Sequence, residues 1–293
     1  MTKRLKGVFT ALVTPFDPSG AIDWAAFDAL IDRQLAAGVA GLVPVGTTGE
    51  AATLSADEAE ALIARTVQRV AGRAYVMAGT GSNDTAKAIA ASKRAEAAGA
   101  DGVLLVTPYY NKPTQAGMQA HFAAIAGAIG CEVMLYSVPG RTGVAIAPET
   151  AAALAGAHAN VVGIKEAGGD PLRVSALRAA CGEEFAIHCG DDALALPFYA
   201  LGACGLTSVL SNLAPEACVA EFDAFAAGDL AGARAWHEKL AGLTEALFVE
   251  TSPAPVKRAL ALQGRMADTL RLPLVGVEPA TEALLRTRLA ALV

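Results

Sequence analysis

The stretch that decides the fold is DWAAFDALIDRQLAAGVAGLVPVGTTGEAATLSADEAEALIARTVQRVAGRAYVMAGTG, residues 23–81. Residues 23–38 place apolar side chains at helical spacing, open on Asp23, an N-cap type residue, and stop at Gly38. AGLVPVG (40–46) follows, a short apolar run bounded by glycine, as a strand would be. The pattern then repeats. SADEAEALIARTVQRVAG (55–72) opens on Ser55, with Glu58 three positions on to complete a capping box, and AYVMAGTG (74–81) reads as the next strand. Helix, strand, helix and strand in this order form parallel βαβ units.

Outward from this stretch the alternation continues. Further strands are expected at GVFTALVTPF (7–16), GVLLVTP (102–108), EVMLYSVP (132–139), VVGIKEA (161–167), FAIHCGDD (185–192) and GLTSVLSN (205–212). They are almost continuously apolar, as strands are when both faces are covered. An open doubly wound sheet alternates in the same way, but its dinucleotide-binding form carries GxGxxG after the first strand, and here that strand ends in TPFDPSG. Eight units favour closure, so the expected fold is α/β, a (β/α)8 TIM barrel. From about residue 215 the strand signal stops and helical patterns run to the end, with breaks near Gly228 and Ser252-Pro253. The expected organisation is a barrel over 1–224 and a C-terminal helical extension over 225–293.

Composition narrows the function. Of 293 residues, 54% are hydrophobic and 18% charged, which excludes a disordered chain. Asp plus Glu number 29 against 23 Lys plus Arg, a net charge of −6 with no basic cluster, and this argues against a nucleic-acid partner. A small anionic substrate remains compatible with that balance, because a single arginine can grip it. No apolar run reaches the roughly 18 residues of a membrane span. The opening MTKRLKGVFTALVTPFD lacks a signal-like cleavage site, so a cytoplasmic protein is expected. The five cysteines (131, 181, 189, 204, 218) are odd in number and scattered, which suits small core residues rather than disulfides or a zinc site.

In barrels of this kind the active site lies at the C-terminal ends of the strands. Gathered there are GTTGE (46–50), GTGSND (79–84), PYYNKP (108–113), Tyr136, Arg141, Lys165 and GDD (190–192). Lys165 is the most telling, because it stands within an apolar strand. Burial disfavours an ammonium and favours a free amine, the form that condenses with a carbonyl. The alternative is a strand-end lysine paired with Glu166 or Glu50, although strand alternation sends Glu166 to the other face. Tyr136 and Tyr110 are candidates to relay protons through Thr47, or else they pack at a rim or an interface. The GTTGE turn is either an ordinary tight turn or a set of amides that receives a carboxylate. Arg141, read as a loop residue, is able to hold a carboxylate bidentately. Asp191 and Asp192 lack neighbours to complete a metal site and read as solvated acids or helix caps. His188 and Cys189 point to opposite faces and do not form a joint nucleophile. No GxSxG, HExxH or P-loop is present, and no cofactor or metal is expected.

Seven motifs then occur in order across nearly the whole chain: GTTGE, AGTGSN, TPYYNKP, LYSVPGRTG, VVGIKEA, CGDD and VETSPAPVKRAL. Together they resemble the dihydrodipicolinate synthases, within the N-acetylneuraminate lyase superfamily of pyruvate Schiff-base enzymes. The resemblance implies that Lys165 forms an imine with pyruvate and that the enamine attacks L-aspartate 4-semialdehyde. It implies Tyr136 as proton donor and acceptor, and Thr47 and Tyr110 as the rest of the relay. Tyr110 would come from the neighbouring subunit of a tight dimer, which is often paired into a tetramer. Thr48 and the turn amides would hold the pyruvate carboxylate, with the backbone near Gly190 and Thr207 closing the pocket. Arg141 would bind the carboxylate of the semialdehyde. Neuraminate lyases lack that arginine and usually carry Ser-Thr in the turn, so both features side with the synthases. Another pyruvate- or 2-oxo-acid-dependent aldolase or dehydratase on the same barrel, and a non-catalytic barrel acting as a binding or scaffold protein, are the competing readings.

The chain departs from the resemblance in three ways. Ser137 stands where many synthases have Asn and Thr207 where they often have Ile, both expected near the pocket. At the lysine-binding interface of feedback-inhibited synthases, the matching positions are Ala51, Ala56, Ala59 and Lys87, with only Asn83 and Tyr109 retained. Lys87 in place of a carboxylate repels a lysine ammonium, so weak or absent lysine feedback is expected.

Overall fold

The computed structural model describes residues 5–291. Eight parallel strands close into a barrel in sequence order: β1 (Gly7–Ala11), β2 (Gly41–Val43), β3 (Tyr75–Gly79), β4 (Gly102–Val106), β5 (Glu132–Ser137), β6 (Val161–Glu166), β7 (Ala186–Cys189) and β8 (Gly205–Ser208). β8 returns to pair with β1, Phe9 opposite Thr207, so the TIM barrel is complete. Helices α1 (Trp24–Ala36), α2 (Ala56–Val70), α3 (Thr85–Ala97) and α4 (Gln115–Ala126) follow the first four strands. A single-turn α5 (Pro139–Thr142) and α6 (Pro148–Ala157) follow β5, and α7 (Leu172–Cys181), α8 (Ala195–Ala200) and α9 (Pro215–Ala226) complete the ring. Beyond Gly228 run α10 (Leu230–Ala246), α11 (Ala254–Leu262) and α12 (Pro279–Ala290). No helix among the described residues is long and apolar enough to cross a membrane.

The helix starts obey local chemistry. Asp23 accepts the Ala26 N–H at 3.0 Å, and Ser55 and Glu58 exchange both bonds of the capping box. The strands are shorter than the apolar runs suggest, for backbone reasons. β2 stops at Val43 because Pro44 has no N–H to give and Val45 is left-handed, with φ 58°. β1 stops at Ala11 and β7 at Cys189, each short of the apolar run that contains it.

Alternation along the strands makes two apolar layers. Val8, Leu42, Val76, Val103, Leu105, Leu135, Ile164 and Ile187 face outward and pack against the helices. Phe9, Val43, Met77, Leu104, Met134 and Tyr136 fill the barrel interior. The closing seam is sealed by polar groups. Asn212 accepts from Val13 N at 3.1 Å and donates to Ala11 O at 2.8 Å, and Thr10 donates to Gln34 at 2.7 Å. These buried groups are all satisfied, so the seam has direction as well as apolar area.

Candidate active site

The pairing register carries the site. Val106 lies opposite Tyr136, Tyr136 opposite Lys165, and Lys165 opposite His188, across four adjacent strands. Lys165 is 6% exposed and its Nζ lies 4.3 Å from the centre of the Tyr136 ring. Neither carboxylate proposed as its partner is available. Glu166 is on the outer face, where Arg173 donates to its Oε2 at 2.9 and 3.1 Å. Both oxygens of Glu50 are taken, Oε1 by Lys257 at 2.7 Å and Oε2 by the Arg271 N–H at 3.0 Å. Among the described residues, Lys165 forms no ion pair, so its amine is not committed to a structural bridge.

Gly190 is shaped by the same lysine. A Cβ there would stand 2.9 Å from Lys165 Cε and 2.7 Å from Ala167 Cβ, so any side chain would displace the amine. Thr207 faces the barrel interior, 2% exposed, with its hydroxyl 3.1 Å from His188 Nδ1. His188 Nε2 lies 2.6 Å from Leu5 O and must be the donor there, so Nδ1 accepts from Thr207. Burial pushes the His188 pKa down to about 4; the Leu5 carbonyl opposes this and the Lys165 charge adds to it. The imidazole is therefore neutral. Cys189, next in the chain, points to the outer layer, where burial raises its thiol well above the usual range.

The GTTGE turn is bracketed by two left-handed residues, Val45 and Glu50, with φ 58° and 57°. Within it the Gly49 N–H donates to Gly46 O at 3.1 Å and the Glu50 N–H to Thr47 O at 3.1 Å. Among the described residues, the amides of Thr47 and Thr48 donate to no protein acceptor. Two free N–H groups on one tight turn suit a carboxylate. The turn also forces glycine on its neighbour, since a Cβ at Gly79 would lie 2.1 Å from Val45 O.

The other expected residues differ in exposure. Thr48 is buried but Thr47 is exposed. Tyr110 is 92% exposed and left-handed, with φ 70°, so its ring stands away from its own chain. No hydrogen bond among the described residues joins Tyr136, Thr47 and Tyr110 within one chain. Arg141 is not on a loop, as the sequence reading had it, but on α5. Pro139 at the first turn and left-handed Gly143 make that single helical turn. The Arg141 guanidinium donates to Ser252 O at 3.2 Å and is otherwise exposed. Ser137 does not point into the barrel: one residue on from Tyr136, it lies on the outer face and accepts the Ile146 N–H at 3.4 Å. Asp192 is not a solvated acid. It is buried and accepts from Ser208 Oγ and from the Val209 and Leu210 N–H groups at 2.9 and 3.2 Å. Asp191 caps Ala193. Among the described residues, no group of three or more His, Cys, Asp or Glu is placed to hold a metal ion.

Two residues that support the turn, Thr14 and Lys257, carry no signal in the sequence. Thr14 donates to Gly49 O at 2.7 Å, and Lys257 holds Glu50. Lys257 sits in a motif that marks the resemblance, but its partner is 207 positions away, and nothing local announces the pair.

With this geometry in place, the comparisons are specific. The model of the dihydrodipicolinate synthetase family matches residues 4–292. The chain is 52% identical to a 4-hydroxy-tetrahydrodipicolinate synthase of Sorangium cellulosum over 95% of this chain and 92% of that one. It is 48% identical to one of Nitratidesulfovibrio vulgaris over 98% of each. Among solved structures, the 4-hydroxy-tetrahydrodipicolinate synthase of Methylacidiphilum fumariolicum superposes with a TM-score of 0.96 at 46% identity, covering 98% of this chain and 95% of that one. The chloride-inhibited dihydrodipicolinate synthase of Acinetobacter baumannii, solved with pyruvate, gives a TM-score of 0.96 at 41% identity over 98% and 99%. By sequence and fold alike, this chain belongs to the dihydrodipicolinate synthetase family.

Proposed function

We propose that the protein condenses pyruvate with L-aspartate 4-semialdehyde to give 4-hydroxy-tetrahydrodipicolinate, the step that leads toward diaminopimelate and lysine. The observation that carries this reading is a buried lysine with no counter-ion among the described residues, its amine 4.3 Å from the centre of a tyrosine ring at the inner wall of the barrel. Lys165 adds to C2 of pyruvate and water leaves, forming the imine. Loss of a C3 proton gives the enamine, whose C3 attacks the aldehyde carbon of the semialdehyde. The amino group of the adduct then attacks C2, displacing the Lys165 amine and closing the ring.

Each step moves a proton, and Tyr136, beside the amine, is placed to give and take it. Thr47 and Tyr110 extend the relay. Because Tyr110 projects away from its own chain, it serves a second copy, in a tight dimer that pairs into a tetramer. The free Thr47 and Thr48 amides receive the pyruvate carboxylate, and Gly190 and Thr207 complete that wall. Arg141, exposed on α5, binds the carboxylate of the semialdehyde. The setting is the cytoplasm, and no metal or cofactor takes part in these steps.

The test is a substrate comparison. With pyruvate fixed, turnover with aspartate semialdehyde should exceed that with sugar-derived aldehydes by at least a hundredfold, and Arg141→Ala should erase most of that preference by raising KM for the semialdehyde. Equal turnover of a sugar-acid substrate would instead place the protein among other 2-oxo-acid aldolases.

A further inference from the structure

Lys257 lies on α11, outside the ring of helices that surrounds the barrel, and its side chain is fully buried. Its ammonium donates to Glu50 Oε1 at 2.7 Å and Thr14 O at 2.9 Å, and stands 4.4 Å from the centre of the Phe16 ring. The second Glu50 oxygen accepts the Arg271 backbone N–H at 3.0 Å, and the Thr14 hydroxyl donates to Gly49 O at 2.7 Å. Gly49 and Glu50 close the GTTGE turn, and Glu50 is held left-handed there. The C-terminal extension therefore grips Glu50 directly, through a buried ion pair and a backbone N–H, and reaches Gly49 by way of Thr14.

A buried ion pair is a poor way to gain stability, because desolvating both charges offsets most of their attraction. Apolar contacts already seat α11, through Val256, Ala259 and Leu260, each fully buried. What the pair adds is direction. It fixes one carboxylate and, through it, the peptide planes at the end of the turn, directly after the free amides of Thr47 and Thr48.

We propose that Lys257 is a positioning residue: acting through Glu50, it orients the Thr47 and Thr48 amides that receive the carboxylate of the 2-oxo acid. The inference rests on the reading of Lys165 as the imine-forming residue, and it gives the C-terminal extension a part in substrate binding. Lys257 itself touches no substrate.

The test uses Glu50→Gln with Lys257→Met, a double variant that removes both charges and strands neither. Three quantities are read: the pyruvate concentration giving half-maximal borohydride trapping, KM for the semialdehyde, and the melting temperature. Half-maximal pyruvate should rise tenfold or more, while the semialdehyde KM shifts less than twofold and melting is little changed. An unshifted pyruvate dependence overturns the proposal, and so does a parallel rise for both substrates, which would mark a purely structural role. Should the double variant fail to fold, Glu50→Gln alone keeps the shape and an acceptor for Lys257. A rise of threefold or more is then expected, and no rise overturns the proposal. Absence of any pyruvate adduct in the unaltered enzyme would overturn the Lys165 reading instead. Normal trapping there, with unshifted variants, removes only the role of Lys257.

Discussion

His188 lies inside the barrel, next to Lys165 in the register, held between the Leu5 carbonyl and the Thr207 hydroxyl. It is neutral in the fold because burial holds its pKa near 4, against the ordinary 6.5. A histidine depressed in this way binds its proton more readily when unfolded. Its contribution to stability is complete above about pH 6.5, falls as the pH drops toward 4, and is constant below. That gap corresponds to roughly 3 kcal/mol across the window. Replacing His188 by Gln should flatten the pH dependence of urea unfolding between pH 7.5 and 4 by about that amount, order of magnitude. Equal slopes for the two proteins would show that the imidazole is not the buried neutral group described. At this scale the sequence was legible for Lys165, because a cation within an apolar strand stands out. Lys257 was not legible, since a lysine on a helix looks solvated until the fold brings Glu50 to it.

Among the elements, the loops after β7 and β8 are joined by one carboxylate. Asp192 accepts two backbone N–H groups and the Ser208 hydroxyl, all buried, and so ties the Gly190 end of β7 to the strand that carries Thr207. Asp192→Ala leaves those donors unpaired and should cost about 3 kcal/mol in urea unfolding, with Asp192→Asn costing less because one acceptor oxygen remains. A loss below about 0.5 kcal/mol for the alanine variant would contradict the assignment. Helix starts were readable from Asp23 and Ser55, because capping is chemistry within four residues. Strand ends were not. Pro44 and left-handed Val45 end β2 before its apolar run does, and a left-handed valine packed against Gly79 of the next strand is a tertiary arrangement with no local signal.

The whole molecule is a barrel whose mouth is fastened to its C-terminal extension. Arg271 donates to both Glu58 oxygens, which holds that carboxyl at about 2, and its backbone N–H reaches Glu50. Closure itself was legible from eight repeated βα units, whereas the fastening joins residues more than two hundred positions apart and left no periodic trace. Beside the GTTGE turn, Ala51 and Ala59 are half-buried, Ala56 and Lys87 are exposed, and Asn83 donates to Tyr109 O at 3.2 Å. This surface offers a lysine ammonium a like charge and no carboxylate at those positions. Lysine titrated to millimolar concentrations should therefore leave turnover nearly unchanged, and half-inhibition at low lysine would refute that reading of the surface.

Reduction of the protein with borohydride in the presence of pyruvate, followed by mass mapping of the digested peptides, shows whether Lys165 is the imine-forming residue. One pyruvate-derived adduct is expected, on the peptide carrying Lys165, absent without pyruvate and absent in Lys165→Ala together with at least a thousandfold loss of turnover. An adduct on a different lysine, or full activity in the alanine variant, would contradict it.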